Sequence, residues 1–225
     1  MKTLLITGTD TEIGKTVVTL SLIAYWQKYH SLDQLGIMKL IQTGTPGDSD
    51  LYEQLFSLTQ SSELVNPLSY ASPIAPPLAA EQAGQDVDLS TVWQALRCLS
   101  SQREFVLLEA LGGLGSPMTW EMTVADVAAA WRLPVVLVVP VKLGAIAQTV
   151  ANVALARQSK VEVKGLIFNC LSEEAEAKQG QWTPHELIQT LCGLPILGTI
   201  PYLSDTNDTE KLAHVASNLE LEHLW

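Results

Sequence analysis

The stretch GTDTEIGKT occupies residues 8–16 and directly follows the apolar run TLLIT at residues 3–7. A short apolar run before a glycine-flanked segment is typical of a buried β-strand that turns into a helix. Backbone N–H groups converge at the N-terminus of such a helix, which makes the turn a binding site for phosphate. The stretch therefore predicts a strand, a phosphate loop and a helix as the first unit of the fold.

Each residue type in this loop has a separate task in holding a nucleotide. Gly8 and Gly14 allow the backbone to approach an anion, Lys15 reaches phosphate oxygens, and the Thr16 hydroxyl is a ligand for Mg²⁺. The strict motif has four residues between its glycines, whereas here the consensus position of the first glycine holds Thr9. The loop is a variant, and the strand before it and the helix after it argue against a chance Gly-Lys-Thr turn.

Apolar runs alternate with longer amphipathic segments along the rest of the chain. The strand-like runs are TLLIT, LGIMKLI, EFVLLEA, LPVVLVVPV, VKGLIFN and LPILGTIP, and helices are predicted at 16–27, 123–131, 145–158, 184–191 and 209–219. Repeated strand and helix predict an α/β fold of the P-loop NTPase type, with a mostly parallel sheet and helices on both faces. Residues 57–88 interrupt the rhythm with a proline-rich, lid-like excursion, and residues 1–225 are predicted to form a single domain.

The composition limits the partners that we expect. The chain has 13 basic and 24 acidic residues, a formal net charge of −11, and no basic block, so neither nucleic acid nor an anionic membrane is an expected partner. The three cysteines show no metal-binding spacing, and no apolar run has the length of a signal-peptide core or a membrane span. We expect a soluble cytoplasmic protein.

The second strand carries an unusual polar residue. Lys39 lies in the run MKLIQTG and Thr43 follows four residues later. A lone lysine on a strand commonly lays its stem along the sheet and its ammonium in water, and that alternative stays open here. The carboxyl end of a parallel strand is nevertheless the ligand side of the sheet, where the phosphate loop also lies. This position favours a functional role for Lys39.

Carboxylates are predicted at the same edge of the sheet. Asp48 and Asp50 precede a helical run, and Glu109 ends the strand FVLLE. Mg²⁺ prefers oxygen ligands from one or two carboxylates, a hydroxyl, water and phosphate, so Thr16, Asp50 and Glu109 form a candidate magnesium set. Either aspartate is also suited to cap the following helix, which is the commoner use of aspartate there.

These segments together resemble one enzyme family. The order GTDTEIGKT, MKLIQTG, SD, VLLEALGG, PVVLVVPVKLGAI, GLIFN and GTIPYL is similar to that of the dethiobiotin synthetases over nearly the whole chain. The resemblance implies an enzyme that uses Mg²⁺ and ATP to join CO2 to 7,8-diaminopelargonic acid, forming dethiobiotin with ADP and phosphate in biotin biosynthesis. It also implies a homodimer with substrate held across the interface.

The resemblance assigns roles residue by residue. It implies that Lys39 and Lys15 are catalytic, that Thr11 and Thr43 contact the substrate, and that Thr16, Asp50 and Glu109 hold Mg²⁺. The residues that it assigns to nucleotide binding are Glu12, Ile13, Gly14, Lys15, Thr16, Val17, Asp50, Glu109, Ala110, Leu111, Gly112, Asn169, Cys170, Pro201, Tyr202 and Leu203. Among these, Asn169 would read the adenine edge and 201–203 would form the other wall of the base pocket.

Two features leave alternatives open. The turn EALGG stands where the family shows EGAGG, so Ala110 must avoid positive φ and the path of this turn is an open question. The segment VKLGAIAQTV predicts free N–H groups near residues 144–147, suited to the substrate carboxylate, although Gly144 ending a simple turn is an equal alternative. The rival function is a regulatory ATPase switch of the partition or septum-site type, but GTDTE lacks the additional lysine of those proteins.

Overall fold

The computed structural model describes residues 2–224, without the side chain of residue 223. Met1 and Trp225 of the predicted domain lie outside the described residues. The strands are β1 (Thr3–Gly8), β2 (Leu35–Lys39), β3 (Gln42–Thr43), β4 (Ser69–Tyr70), β5 (Phe105–Glu109), β6 (Val135–Pro140), β7 (Val163–Asn169) and β8 (Ile196–Ile200). The helices are α1 (Lys15–Tyr29), α2 (Asp48–Leu55), α3 (Ser62–Val65), α4 (Pro76–Gln82), α5 (Leu89–Gln102), α6 (Val124–Ala130), α7 (Ala145–Gln158), α8 (Glu173–Ala177), α9 (Gln179–Trp182), α10 (His185–Cys192) and α11 (Thr209–Ala216).

The main sheet has six strands in the order β2-β5-β1-β6-β7-β8, and every neighbouring pair is parallel. All carboxyl ends of the strands therefore lie at one edge, which is where ligands bind in open α/β sheets. The phosphate loop leaves β1 near the centre of this edge, and β2 and β5 end beside it. The α/β fold with a parallel sheet is confirmed.

Helices cover both faces of the sheet, and successive strand residues supply the two cores. On β1, Leu5 packs into one hydrophobic cluster, while Leu4 and Ile6 pack into the other. The first cluster joins the sheet to α5, α6, α7 and α10, and the second joins it to α1, α2 and α11. Because side chains alternate along a strand, an unbroken apolar run is needed to fill both cores.

The predicted strands and helices are present, but the middle of the chain is more ordered than its sequence indicates. The excursion at 57–88 contains α3, β4 and α4, and β4 pairs in parallel with β3 as a separate two-stranded sheet. Helix α5 was not predicted, although Val92, Leu96 and Leu99 have the spacing of a buried helical face. Strand β2 ends at Lys39, Leu40 N still donates to Glu109 O, and Gln42 N then donates to Leu68 O beside the second sheet.

Across residues 2–224 we find no helix with the combined length and apolarity that crossing a membrane requires.

The turn after β5 lies directly against the phosphate loop. Leu114 N donates to Gly8 O at 2.8 Å. A Cβ atom on Gly113 would lie 3.0 Å from both Asp10 N and Thr9 C, and 3.1 Å from Gly8 O. Only glycine fits this approach of two backbones without displacing one of them. The contact fixes the phosphate loop relative to the end of β5.

We expect Gly113→Ala to destabilise the protein by about 1–3 kcal/mol, since the added methyl group meets backbone atoms that cannot rotate away. The midpoint of urea unfolding measures this loss. Gly180→Ala is the matched control, because a Cβ there meets nothing within 4 Å and alanine favours the helix. Equal midpoints for the two variants would contradict the close approach.

Candidate active site

A cavity of about 450 Å³ lies at the carboxyl edge of the sheet, between the phosphate loop and the ends of β2 and β5. Most of the predicted site residues line it, namely Thr11, Glu12, Ile13, Gly14, Lys15, Thr16, Lys39, Thr43, Glu109, Leu111 and Gly112. The structure adds Asp48 and Gln42 to this lining. The cavity thus gathers residues that are distant from one another in the sequence.

The phosphate loop has the left-handed backbone that its glycine predicts. Gly14 has φ +84°, and a Cβ on it would meet Asn169 Nδ2 at 1.9 Å. Lys15 is buried and its Nζ donates to Asp10 O at 2.8 Å. Burial, and after it the charge of Lys39, lowers the pKa of Lys15 to about 8. In the free protein, the Lys15 side chain therefore folds back onto the backbone of its own loop, at the edge of the cavity.

Lys39 is buried, with 3% of the residue exposed, so the solvated alternative is ruled out. Its Nζ lies 2.5 Å from Asp48 Oδ2 and 2.7 Å from Glu109 Oε1. Strand register explains one contact, since Lys39 and Glu109 are opposite partners on β2 and β5. Burial works to lower the pKa of Lys39, but the carboxylates of Glu109 and Asp48 outweigh it and raise the pKa. The ammonium stays charged.

Thr16 completes a cluster of oxygen atoms around this ammonium. Its Oγ1 lies 2.8 Å from Asp48 Oδ1 and 3.1 Å from Glu109 Oε1. Glu109 is 1% exposed, and its second oxygen, Oε2, accepts from the hydroxyl of Tyr52. The cluster brings the first helix, the second helix and β5 together at one point of the cavity.

The structure corrects the predicted grouping of Asp50 with Thr16 and Glu109. Asp50 is exposed, and its Oδ2 accepts from Gly47 N at 2.8 Å, as the third residue of a capped helix does. Asp48, at the first position of α2, faces the cavity instead. Burial works to raise the pKa of Asp48, but Lys39 outweighs this effect and lowers the pKa. The three-residue spacing from Gly47 to Asp50 was the sequence signal for a cap.

Sequence reasoning also missed Gln42, which holds the loop between β3 and α2. Its Nε2 donates to Thr43 O at 2.9 Å and its Oε1 accepts from Asp48 N at 3.1 Å. A Cβ on Gly47 would lie 2.6 Å from Gln42 Cδ, so the amide fills the inside of the loop. One buried side chain thereby fixes Thr43 and Asp48 relative to each other. No sequence motif marks this role.

The turn EALGG keeps Glu109 in place despite its departure from the family pattern. Ala110 is buried, its N–H donates to Ile6 O at 2.9 Å, and it is not among the residues with positive φ. The left-handed conformation falls on Gly112, with φ +56°. Leu111 reaches the cavity lining. The added side chains at residues 110 and 111 therefore fit this path.

The residues predicted to bind the base lie beside the cavity rather than in its lining. Asn169, at the end of β7, is buried and its Nδ2 donates to Ile13 O at 3.0 Å. Cys170 N donates to Ile200 O, and burial, with a smaller effect from Glu176, raises the pKa of the Cys170 thiol to about 11. Residues 201–203 follow β8, the neighbour of β7. Val17, on α1, also lies outside the lining and packs against the hydrophobic cluster that joins the sheet to α1, α2 and α11.

Within the described part of the chain, no group of three His, Cys, Asp or Glu side chains is placed to hold a metal ion. The cavity offers two carboxylates and one hydroxyl, from Asp48, Glu109 and Thr16. Mg²⁺ is usually held by so few protein oxygens because water and substrate phosphates supply the rest. Lys39 already shows that a cation is stable between these carboxylates. The donor set therefore fits Mg²⁺ bound together with a nucleotide.

The glycine-flanked loop at a helix N-terminus, with Lys15 and Thr16 at the edge of a parallel sheet, defines a protein of the P-loop nucleotide-binding class. Residues 2–210 match the family described as an AAA domain. The chain belongs to the ATP-dependent dethiobiotin synthetase family. It is 57% identical over 224 residues to the dethiobiotin synthetase BioD of Gloeothece citriformis, covering 100% of this chain and 99% of that relative.

Further relatives support the family over a wide range of identity. The BioD of a Synechocystis species is 50% identical, covering 99% of this chain and 94% of the relative, and that of Bacillus subtilis strain 168 is 28% identical over 229 residues, covering 100% of this chain and 97% of the relative. Among solved structures, a ParA family ATPase from Chlorobium tepidum aligns with a TM-score of 0.59 at 13% identity, covering 99% of this chain and 96% of that one. The cell division protein MinD of Aquifex aeolicus aligns with a TM-score of 0.54 at 15% identity, covering 98% of this chain and 89% of that one. At these identities the structural likeness concerns the fold alone.

Proposed function

We propose that this protein is an ATP- and Mg²⁺-dependent ligase that carboxylates 7,8-diaminopelargonic acid with CO2 and closes the ring of dethiobiotin, releasing ADP and phosphate. Family membership supports the pathway. The observation that carries the proposal is the buried Lys39 ammonium, which faces the cavity across from the phosphate loop and is held by Asp48 and Glu109.

The phosphate loop supplies the nucleotide site in this proposal. Residues 12–17 wrap the phosphates, with their N–H groups at the N-terminus of α1. Lys15, whose Nζ donates to Asp10 O in the free protein, would exchange this bond for phosphate oxygens. Bound Mg²⁺ supplies positive charge against the phosphate oxygens, and Thr16, Asp48 and Glu109 would hold it. Asp48 takes the place in this set that the sequence assigned to Asp50.

The reaction needs positioning and charge more than a protein nucleophile. One substrate amine takes up CO2 as a carbamate and loses a proton, and a carbamate oxygen then attacks the γ-phosphorus while ADP leaves. The second amine attacks the carbonyl carbon of the resulting anhydride, phosphate leaves, and the five-membered urea closes with loss of a proton. Lys39 stabilises the transferring phosphoryl group and the carbamate oxygens, whose negative charges approach one another.

The remaining contacts complete the proposed substrate sites. Thr11 and Thr43 line the cavity and would contact the diamine. Asn169 and Cys170, with residues 201–203, would hold the adenine beside the loop. Gly144, with φ +86°, precedes the first residue of α7. That helix N-terminus is suited to the substrate carboxylate.

We also propose a homodimer in the cytoplasm. Leu143 and Trp120 expose 75% and 68% of their surface, and apolar residues of this kind are suited to a subunit contact. The residues beside the α7 N-terminus would then reach the partner, which supports a substrate site shared between two chains. No nucleic-acid or membrane partner is proposed, in keeping with the net charge of −11.

The function is tested by incubating the purified protein with MgATP and bicarbonate, with and without the diamine. We expect ADP and dethiobiotin to form in equal amounts only when the diamine is present, since the carbamate is the phosphoryl acceptor. ADP is measured by a coupled assay and dethiobiotin by mass spectrometry. ADP release that is indifferent to the diamine, without dethiobiotin, would favour a regulatory ATPase of the partition or septum-site type.

We expect Lys39→Ala to reduce kcat by about 100-fold or more, because a charge aimed at the transition state is lost. The Kd for ATP is expected to change less than about tenfold, since Lys15 and the loop N–H groups still bind the phosphates. Turnover and calorimetric binding are compared on the same preparation. Lys39→Ala also leaves the Asp48 and Glu109 carboxylates without a cation, which destabilises the fold. Lys39→Arg keeps the positive charge and so serves as the control for this effect. Equal losses of turnover and ATP binding would contradict the role of Lys39.

Asp48 and Asp50 form a matched pair for the magnesium site. We expect Asp48→Asn to raise the Mg²⁺ concentration for half-maximal turnover by about tenfold or more, since one anionic ligand is lost. Asp50→Asn is expected to leave this concentration unchanged, because an asparagine still caps the helix. Initial rates over a Mg²⁺ titration at saturating ATP measure both. The reverse result would restore Asp50 as the ligand.

A further inference from the structure

Tyr52 is a buried side chain with a polar end directed at the active site. It lies on α2, is 0% exposed, and packs in the same cluster as α1 and α11. Its hydroxyl donates to Glu109 Oε2 at 2.5 Å, and the hydroxyl of Thr19 is a further polar neighbour. Neither the sequence motifs nor the family resemblance assigns this residue a role.

The two oxygens of Glu109 face different partners. Oε1 lies toward the cavity, at 2.7 Å from Lys39 Nζ and 3.1 Å from Thr16 Oγ1. Oε2 lies behind it against Tyr52, and with Glu109 only 1% exposed, water has little access to this oxygen. The phenol therefore supplies the hydrogen bond that a buried carboxylate oxygen requires.

Packing alone does not account for the hydroxyl. Phenylalanine would fill the same space among apolar neighbours, and a buried hydroxyl without an acceptor costs about 1–3 kcal/mol. Because a carboxylate oxygen accepts hydrogen bonds, the phenol is the donor in the contact with Glu109 Oε2.

Helix α2 links this contact to the other carboxylate. Asp48 and Tyr52 are four residues apart, so they lie on one face of α2. Asp48 reaches Lys39 and Thr16 from the first position of the helix, while Tyr52 reaches Glu109 one turn later. A single helix therefore carries one carboxylate of the cluster and holds the other.

We propose that Tyr52 is a positioning residue for metal and nucleotide binding, which fixes the Glu109 carboxylate through Oε2 so that Oε1 faces the site shared with Thr16 and Asp48. This inference rests on the magnesium site of the proposed function. Groups that orient metal ligands in this way typically change metal affinity by about 10–100-fold when they are removed.

The test is the affinity of Mn²⁺ for the protein in the presence of ADP, measured by electron paramagnetic resonance on wild type and Tyr52→Phe. We expect the variant to bind Mn²⁺ about 10–100-fold more weakly, with ADP binding in the presence of EDTA unchanged. Raising Mg²⁺ is expected to restore most of the turnover of Tyr52→Phe, since the ligands themselves remain. Unchanged Mn²⁺ affinity would overturn the proposal, whatever the stability of the variant.

Tyr70→Phe is the matched control. Tyr70 is also buried, and its hydroxyl donates to Asp86 O at 3.3 Å, away from the cavity. Its loss is expected to leave Mn²⁺ affinity unchanged, so a general effect of removing a buried hydroxyl would be recognised.

Replacement of Tyr52 by 4-aminophenylalanine keeps the ring and a donor, and it carries the test if Tyr52→Phe does not fold. A tenfold weaker Mn²⁺ affinity in this variant would contradict the proposal.

Two results separate this inference from the proposed function. If wild type forms no dethiobiotin but Tyr52→Phe still binds Mn²⁺ more weakly with ADP, the positioning role stands and the reaction assignment fails. If wild type forms dethiobiotin and both proteins bind Mn²⁺ equally, the reaction stands and the role of Tyr52 fails. Absence of Mn²⁺ binding by wild type with ADP would overturn the role as well.

Discussion

The site depends on one interaction, the contact of the buried Lys39 ammonium with Asp48 and Glu109. A charge out of water is stable only when opposite charges and hydrogen bonds surround it, so each member of this cluster needs the others. Two of the members are opposite partners in a parallel strand pair, and the third begins a helix. The sheet register, the turn after β5 and the start of α2 are therefore fixed together.

This arrangement also prepares the cavity for anionic ligands. Lys39 and Lys15 together carry two positive charges against the two carboxylates, and Lys15 Nζ also donates to Asp10 O. In the proposed function, a nucleotide bound with Mg²⁺ would bring charges of both signs and would replace these internal partners with its own. Gln42 and Tyr52 hold the carboxylate-bearing segments from the protein side. In our proposal, these contacts would keep Asp48 and Glu109 oriented while their partners change.

Proteins named as a ParA family ATPase and the cell division protein MinD share this fold, so the fold by itself leaves the chemistry open. Beyond the loop, Lys39 on β2 and Glu109 on β5 bring a cation and a carboxylate to the same cavity. The relatives at 50% identity and above are named as dethiobiotin synthetases, and this family membership indicates the chemistry that the fold leaves open.

The sequence by itself determined the fold class and predicted the phosphate loop and the place of Lys39 and Glu109 at the edge of the sheet, because apolar runs and strand ends are local patterns. It grouped Asp50 rather than Asp48 with Thr16 and Glu109, since both aspartates lie in the first turn of α2 and only the orientation of this helix turns Asp48 into the cavity. The sequence likewise gave no signal for Gln42 or Tyr52. Their roles arise from contacts between segments distant in sequence, such as Tyr52 with Glu109, and only tertiary packing creates those contacts.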